Sequence, residues 1–255
     1  MSSPNELHVP RRAMVIVSHP DDQEFTVAGT VARWTRAGAE VITVVCTDGS
    51  RGCNDPAPGP AELAALRRQE QEAACAILGV RRVVFLDYPD GTLQHTLELR
   101  RDITRELRRY RPDTVICGDP TVRYYGTGYL NHPDHRAAAD AALDAVFPSA
   151  GTRWIFPELL DEGLEPHDVS VVYLYGAAEP DTWVDITETI DVKIRALSEH
   201  RSQVGNDLGA LEKRVRDWAT QTAAGHPVQP GLGPMRYAEA FRCMILRRPT
   251  TGTEA

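Results

Sequence analysis

The feature that most constrains the fold is a series of short apolar runs that alternate with segments of helical spacing. Each run is four to seven residues long and apolar at nearly every position, which is typical of strands buried on both faces of a sheet. The five runs are Ala13–Val17, Val41–Cys46, Val83–Leu86, Thr114–Cys117 and Val169–Tyr175. The segments of helical spacing are Glu24–Ala37, Ala61–Leu78, Leu97–Tyr110, Asp134–Phe147, Ile190–Ser202 and Leu208–Ala223. This alternation predicts an α/β fold, with a Rossmann-like, doubly wound, mostly parallel sheet and helices on both faces.

The length of 255 residues fits one large α/β domain. There is no internal repeat and no strong domain boundary, so we expect residues 1–255 to form a single domain. We expect residues 1–10 and 249–255 to be flexible, and the Gly- and Pro-rich segment Ala224–Pro234 to form a loop or lid. A domain of this size buries a large core without disulfides or a structural metal. A bound metal would therefore be functional.

The charge of the chain argues against a nucleic-acid partner. The formal net charge is −8, and an acidic protein repels phosphate backbones. The arginines of Leu97–Tyr110 lie among acidic residues at helical spacing, as on a solvated helix face. No apolar run reaches transmembrane length, and the N-terminus lacks the apolar stretch of a signal peptide. We therefore expect no nucleic-acid partner and no membrane span.

The five cysteines are an odd number without paired spacing. Cys46 and Cys117 end apolar runs, and Cys75 lies in a helical pattern. These positions are typical of reduced cysteines, and they predict a cytoplasmic location. Cys53 lies in a loop with no basic cluster or histidine beside it, so we do not expect it to be a nucleophile.

Polar motifs follow four of the predicted strands. They are His19-Pro20-Asp21-Asp22, Thr47-Asp48-Gly49-Ser50-Arg51-Gly52, Asp87-Tyr88-Pro89-Asp90-Gly91 and His132-Pro133-Asp134-His135. In doubly wound folds, ligands bind beyond the carboxyl ends of the strands. The four loops are therefore expected to converge on one site.

The first and last of these motifs carry metal-binding chemistry. Zn²⁺ accepts imidazole nitrogen and carboxylate oxygen, and Pro20 lets His19 and Asp22 turn toward one point while Asp21 projects beside it. The alternative is that the two carboxylates only cap the following helix. His132 and His135, three residues apart at a helix start, would present on one face, although a surface turn could also hold them. Together the motifs supply three ligands, a spare carboxylate and a spare imidazole, and a catalytic zinc site keeps three protein ligands and one open position.

These motifs resemble those of the LmbE-like, or PIG-L, deacetylases. The resemblance is carried by Ser18–Glu24 and His132–His135, and by the segments Thr47–Gly52 and Tyr88–Gly91 in the same order, and it covers roughly residues 14–200. That family is known for zinc-dependent deacetylation of N-acetylglucosaminyl compounds, and it also contains amidases of thiol conjugates. Because its members form oligomers, the resemblance also allows a homo-oligomer.

The resemblance implies a role for each residue of the two motifs. The implied zinc ligands are His19, Asp22 and His135. Asp21 would be the general base, which takes a proton from the attacking water and passes it to the departing amine. His132 would be protonated and stabilise the oxyanion. Asp134 would hydrogen-bond His132 and keep it charged and oriented.

Three further residues are candidate substrate contacts. Arg51 stands where the family commonly places a basic contact, or it is a solvated loop arginine. Asp90 could bind sugar hydroxyls, or its Pro-Asp-Gly sequence is an ordinary turn. Tyr129 could stack on a sugar, or it only packs its loop. Some family members carry a tyrosine two residues before the second motif, whereas this chain has Leu130 there.

Glu24 and Asp48 could each support the site from behind the residues that contact the metal or substrate. Glu24 has the alternative role of favouring a helix N-terminus, because a negative charge there is stabilising.

The predicted function is metal-dependent removal of an N-acyl group, in the first place N-acetyl, from an amino sugar such as a GlcNAc-containing small molecule. Alternatives are an amidase of thiol–sugar conjugates and a non-catalytic metal- or sugar-binding protein. A nucleotide-binding protein is disfavoured, because no Gly-x-Gly-x-x-Gly follows the first strand and no P-loop occurs. The expected cofactor is Zn²⁺, although the donors would also accept Fe²⁺, Co²⁺ or Ni²⁺.

Overall fold

A seven-stranded sheet forms the centre of the protein. The computed structural model describes residues 9–55, 57–226 and 235–246. The strands of the sheet are β1 (Arg12–Val17), β2 (Glu40–Thr47), β3 (Arg82–Tyr88), β4 (Thr114–Gly118), β7 (Val171–Tyr175), β8 (Thr182–Asp185) and β9 (Ala238–Ile245). A separate two-stranded hairpin consists of β5 (Tyr124–Tyr125) and β6 (Tyr129–Leu130).

The sheet has the strand order β3-β2-β1-β4-β7-β9-β8. The five strands from β3 to β7 in that order are parallel, and β9 pairs antiparallel with both β7 and β8. The predicted mostly parallel sheet is therefore confirmed. Strands β8 and β9 were not predicted, because their short, mixed sequences TWVD and AEAFRCMI lack a continuous apolar run.

Helices cover the sheet, and those of eight or more residues lie close to their predicted positions, although the helix predicted for Ile190–Ser202 ends at Leu197. They are α1 (Asp22–Thr26), α2 (Ala28–Arg36), α3 (Pro60–Leu78), α4 (Leu97–Tyr110), α5 (Pro133–Asp144), α6 (Glu158–Asp161), α7 (Ile190–Leu197), α8 (Arg201–Val204) and α9 (Leu208–Ala224). The helix predicted for Glu24–Ala37 is divided at Val27, whose φ is −129°. The helix predicted to reach Phe147 ends as an α-helix at Asp144, and a π-helical segment follows it. Phe147 itself has non-helical backbone, because Pro148 disfavours helical backbone at the residue before it.

Two hydrophobic cores lie on opposite faces of the sheet. Ala13, Val15 and Val17 of β1 face the core with α2, α3, α7 and α9, whereas Met14 and Ile16 face the core with α4 and α5. Because successive strand side chains point to opposite faces, a run that is apolar throughout supplies both cores. Within the described ranges, no helix combines the length and the apolar character needed to cross a membrane.

Several predicted segments fall outside the described residues. They are most of the loop or lid Ala224–Pro234, namely residues 227–234, and the terminal residues 1–8 and 249–255.

The strand order places a crevice beside β1. The chain runs from β1 outward to β2 and β3, and then crosses to β4 on the other side of β1. Connections therefore leave β1 and β4 in opposite directions, and ligands bind in the crevice that this reversal opens at the carboxyl ends of the strands. His19 follows β1, and His132 follows β4 after the hairpin.

A tight contact between α2 and Ile186 gives a test of this packing. A Cβ added at Gly29 would lie 2.7 Å from Ile186 Cγ2, which is fully buried. Gly29→Ala should therefore lower the free energy of unfolding by about 1–3 kcal/mol through overpacking. Gly209→Ala is the matched control in α9, where the nearest atom is 3.6 Å away. Chemical denaturation should show Gly209→Ala unchanged or more stable by up to about 1 kcal/mol, and equal effects would contradict the packing.

Candidate active site

Asp22 connects the loop after β1 to α5. Its Oδ2 accepts hydrogen bonds from Ser18 N (3.1 Å), Ser18 Oγ (2.7 Å) and His19 N (2.8 Å), and its Oδ1 lies 3.1 Å from His135 Nε2. Asp21 stands at the N-cap of α1, but its side chain makes no capping hydrogen bond. The structure therefore favours the clustered arrangement over the alternative in which these carboxylates only cap a helix.

Three of the predicted residues could bind one metal ion. His19, Asp22 and His135 each offer a ligand atom, and these atoms lie within 4.8 Å of one another. A second group in the described part of the chain meets the same criterion and shares one member with the first. It consists of His19, His132 and Asp134. The nitrogen and carboxylate donors of both groups suit Zn²⁺.

The electrostatics of the first group favour a bound cation. Burial opposes protonation of His19, yet hydrogen bonds with Asp134, Asp22 and Asp90 raise its pKa to about 12. Burial also opposes ionisation of Asp22, but His135 and His19 hold its pKa well below the usual value. The pKa of His135 is raised by Asp22 against the effect of burial. The surrounding carboxylates thus stabilise positive charge, which is the property that a divalent metal requires.

Asp21 has an unusual backbone conformation and a buried side chain. Its φ of 104° is uncommon for a residue other than glycine, and its N–H donates to Gln71 Oε1 at 2.9 Å. Its Oδ2 lies 3.3 Å from Nη2 of Arg67. Burial and the charge of Asp22 raise the pKa of Asp21 to about 7, although Arg67 opposes this shift. Strained backbone of this kind persists only where surrounding contacts fix it, and it is frequent at active sites.

His132 and Asp134 are not joined by the predicted side-chain hydrogen bond. Asp134 N donates to His132 Nδ1 (3.2 Å), while the Asp134 carboxylate lies 3.9 Å from that nitrogen. The carboxylate instead accepts from Gly91 N and Leu93 N and lies 3.3 Å from His19 Nε2. Burial and the charge of His19 lower the pKa of His132. This geometry fits a neutral imidazole with its proton on Nε2, whereas the family resemblance implies an imidazolium.

Asp90 lies in a turn, as its Pro-Asp-Gly sequence predicts, but its side chain is buried in the site. Its Oδ1 lies 3.1 Å from His19 Nε2, and its Oδ2 accepts from Arg51 N at 2.9 Å. The Arg51 guanidinium donates to the carbonyl of Asp90, and Asp48 Oδ1 accepts from Asp90 N. Burial opposes the shift, but His19 and the Arg51 N–H lower the pKa of Asp90 to about 2. The loops after β2 and β3 are thus tied to each other at the site.

The hairpin before His132 exposes aromatic residues. Tyr124 pairs with Leu130 and Tyr125 with Tyr129, and the side chains of Tyr124, Tyr129 and Leu130 are all more than half exposed. The rings of Tyr125 and Tyr129 are 6.0 Å apart. Tyr129 is thus an exposed residue three positions before His132.

Several polar residues that support the site from the protein interior were not predicted from the sequence. Arg67 and Gln71 lie one turn apart on α3 and are both buried. Gln71 and His200 also contact Glu24, with His200 Nε2 3.1 Å from Glu24 Oε2. The spacing of Arg67 and Gln71 was visible, but it signals a site only once the buried face of α3 is known. Asn131, which contacts His135, was missed as well.

Comparison with known proteins identifies the family. Residues 14–146 match the family model described as PIG-L: GlcNAc-PI de-N-acetylase. A diacetylchitobiose deacetylase from Thermococcus kodakarensis is 34% identical over 235 residues, which are 91% of this chain and 82% of the relative. The chain belongs to the PIG-L family.

Solved structures agree with this membership in the PIG-L family. The N,N'-diacetylchitobiose deacetylase from Pyrococcus horikoshii has a TM-score of 0.82 and 34% identity, and the match covers 92% of this chain and 84% of that one. The 4-carboxy-2-hydroxymuconate hydratase of Pseudomonas putida KT2440 has a TM-score of 0.74 at 23% identity, with 96% and 100% covered. The second likeness shows the shared fold alone, so the activity must be argued from the site.

The proximity of the donors in this PIG-L protein predicts stabilisation by metal. Zinc in excess should raise the free energy of unfolding relative to chelator-treated protein, by about 2.7 kcal/mol at 100 times the dissociation constant. His135→Ala should lose this difference in thermal unfolding. His95→Ala, which removes an exposed histidine paired with Asp144, should retain it. Stabilisation that survives in His135→Ala would exclude this histidine as a ligand.

Proposed function

We propose that the protein is a zinc-dependent hydrolase that removes an N-acetyl group from an amino sugar such as a GlcNAc-containing small molecule. The observation that carries this proposal is the position of Asp21, a buried carboxylate that precedes Asp22 and interacts electrostatically with Asp22 and His19 of the three-donor group. Family membership and the deacetylase relatives support the same chemistry. When bound, the ion would lower the pKa of a coordinated water and polarise the amide carbonyl.

Asp21 is suited to the role of general base. A base works best when its pKa is near the operating pH, and burial raises the pKa of Asp21 to about 7. Gln71 holds its backbone and Arg67 its carboxylate, so the base is oriented before the substrate arrives. Asp21 would remove a proton from the attacking water and deliver it to the amine that leaves. A protein that only bound metal or sugar would have no need of this strained carboxylate.

His132 would assist by donating a hydrogen bond. Its Nδ1 accepts from Asp134 N, which leaves Nε2 to carry the proton. We propose that this N–H points to the oxyanion that forms when water attacks the amide carbonyl. Asp134 would then act mainly on His19, which its carboxylate contacts.

The proposal also covers substrate binding, cellular location and assembly. We propose that Arg51, Asp90 and Tyr129 contribute to substrate binding, Asp90 from the buried part of the site and Arg51 and Tyr129 from its exposed part. Five unpaired cysteines support a cytoplasmic location. A homo-oligomer and a single domain over residues 1–255 remain part of the proposal.

Replacement of Asp21 tests the proposed chemistry. Asp21→Asn should lower acetate release from N-acetylglucosaminyl compounds by about 10²–10⁴-fold, because the amide cannot accept the proton. Asp87→Asn is the matched control, since Asp87 is an exposed carboxylate paired with Arg68, also at positive φ. Acetate is assayed with zinc-loaded protein, and zinc content is measured alongside.

Full activity of the Asp21→Asn variant would show that Asp21 is not the general base. Absence of acetate release from every sugar by zinc-loaded wild type would favour the thiol–sugar amidase or a binding protein.

Exposed tyrosines predict a preference for substrates longer than one sugar. Tyr129→Ala should raise KM for N,N'-diacetylchitobiose about three- to tenfold, as expected for about 1 kcal/mol of lost aromatic contact. The kcat and the kinetics with N-acetylglucosamine should change less than about twofold. Trp154→Ala is the control, because Trp154 is 78% exposed but lies beside the C-terminal end of α4, where Arg108 contacts Thr152 O. Equal effects on both substrates would place Tyr129 outside the binding surface.

A further inference from the structure

Asn131 occupies a buried position between the hairpin and α5. It is 5% exposed, and every polar group of the residue is used. Its N–H donates to Arg123 O (2.9 Å) and its Nδ2 to Val122 O (2.8 Å), and its carbonyl accepts from Arg136 Nη1 (2.6 Å). Its Oδ1 lies 3.1 Å from His135 Nδ1.

The hydrogen bonds of Asn131 determine which nitrogen of His135 carries the proton. A backbone carbonyl can only accept, so the amide group facing Val122 O must be the NH₂ group, and the oxygen must face His135. An amide oxygen can likewise only accept, so His135 Nδ1 must be the donor. A histidine that binds a metal is neutral, so its lone pair would then be on Nε2, the nitrogen that lies 3.1 Å from Asp22 Oδ1. That nitrogen is the one directed into the three-donor group.

We propose that Asn131 is a positioning residue that fixes the tautomer and ring orientation of His135 for metal binding. The inference rests on the proposed function, because it assumes that His135 is a metal ligand. An acceptor on the far nitrogen of a ligating histidine fixes the ring and makes it a better ligand, and its loss typically lowers metal affinity by about 10–100-fold.

The same residue holds the hairpin. Because Asn131 N bonds to Arg123 O and its side chain to Val122 O, the two ends of the hairpin loop 123–131 are joined at Asn131. Arg136, in the first turns of α5, fixes the backbone of Asn131 from the other side. Asn131 therefore holds both the hairpin that bears Tyr129 and the proposed ligand His135.

Two substitutions separate the role toward His135 from the role in the hairpin. Asn131→Asp keeps an acceptor for His135 Nδ1 but loses the donor to Val122 O, whereas Asn131→Leu loses both. Zinc affinity is measured by competition with a chromogenic chelator, and unfolding of the metal-free proteins shows how much each variant is destabilised. We expect Asn131→Leu to bind zinc about 10–100-fold more weakly than the wild type. The zinc affinity of Asn131→Asp should fall by no more than about threefold.

Three results would overturn the proposal. Wild-type affinity in Asn131→Leu, or equal losses in both variants, would assign Asn131 a purely structural role while leaving the proposed function intact. A wild type that binds no zinc would instead remove the proposed function and this inference with it.

A measurement on wild-type protein does not depend on whether the variants fold. NMR chemical shifts of the His135 ring in the zinc-loaded protein should show Nδ1 protonated and Nε2 coordinated. Coordination through Nδ1 would contradict the inference.

Discussion

The rest of the site depends on the hydrogen bonds and ionic contact that the Asp22 carboxylate makes. One of its oxygens binds the backbone and side chain of the turn that ends β1, and the other faces His135 on α5. The two strands that feed these elements, β1 and β4, are neighbours at the point where the strand order reverses. Asp22 thus joins the two halves of the crevice. The turn that it fixes also leaves Asp21 at a positive φ, with its carboxylate beside Arg67.

Charge balance explains how such a polar cluster can be buried. Asp21, Asp22, Asp90 and Asp134 are each at most 9% exposed. Unpaired charges of this kind would be strongly destabilising, but each carboxylate contacts a histidine or Arg67, and three of them also accept backbone N–H groups. A divalent cation in the same cluster would further offset the excess of carboxylates. The buried carboxylates of the site therefore require compensating positive charge nearby.

The parallel strands and their helices could be predicted because each run is apolar at nearly every position, which only a strand covered on both faces requires. Strands β8 and β9 could not, because neither carries a continuous apolar run: β8 is TWVD, and β9 is interrupted by Glu239 and the exposed Arg242. The convergence of His19, Asp22 and His135 was predictable from the strand ends. The partners of Asp134 were not, since two loops that are far apart in sequence supply Gly91 and His19. The role of a buried polar residue such as Asn131 can be inferred only from its contacts in the folded protein.

The central claim is that His19, Asp22 and His135 bind the catalytic metal. The most direct test is a crystal structure of the zinc-loaded protein with anomalous diffraction recorded on both sides of the zinc absorption edge. Our account predicts one strong peak, with His19 and His135 nitrogens and an Asp22 oxygen about 2.0–2.2 Å away. The structure also contains the competing group of His19, His132 and Asp134. A peak bonded to that group, or no peak within the crevice, would contradict the account.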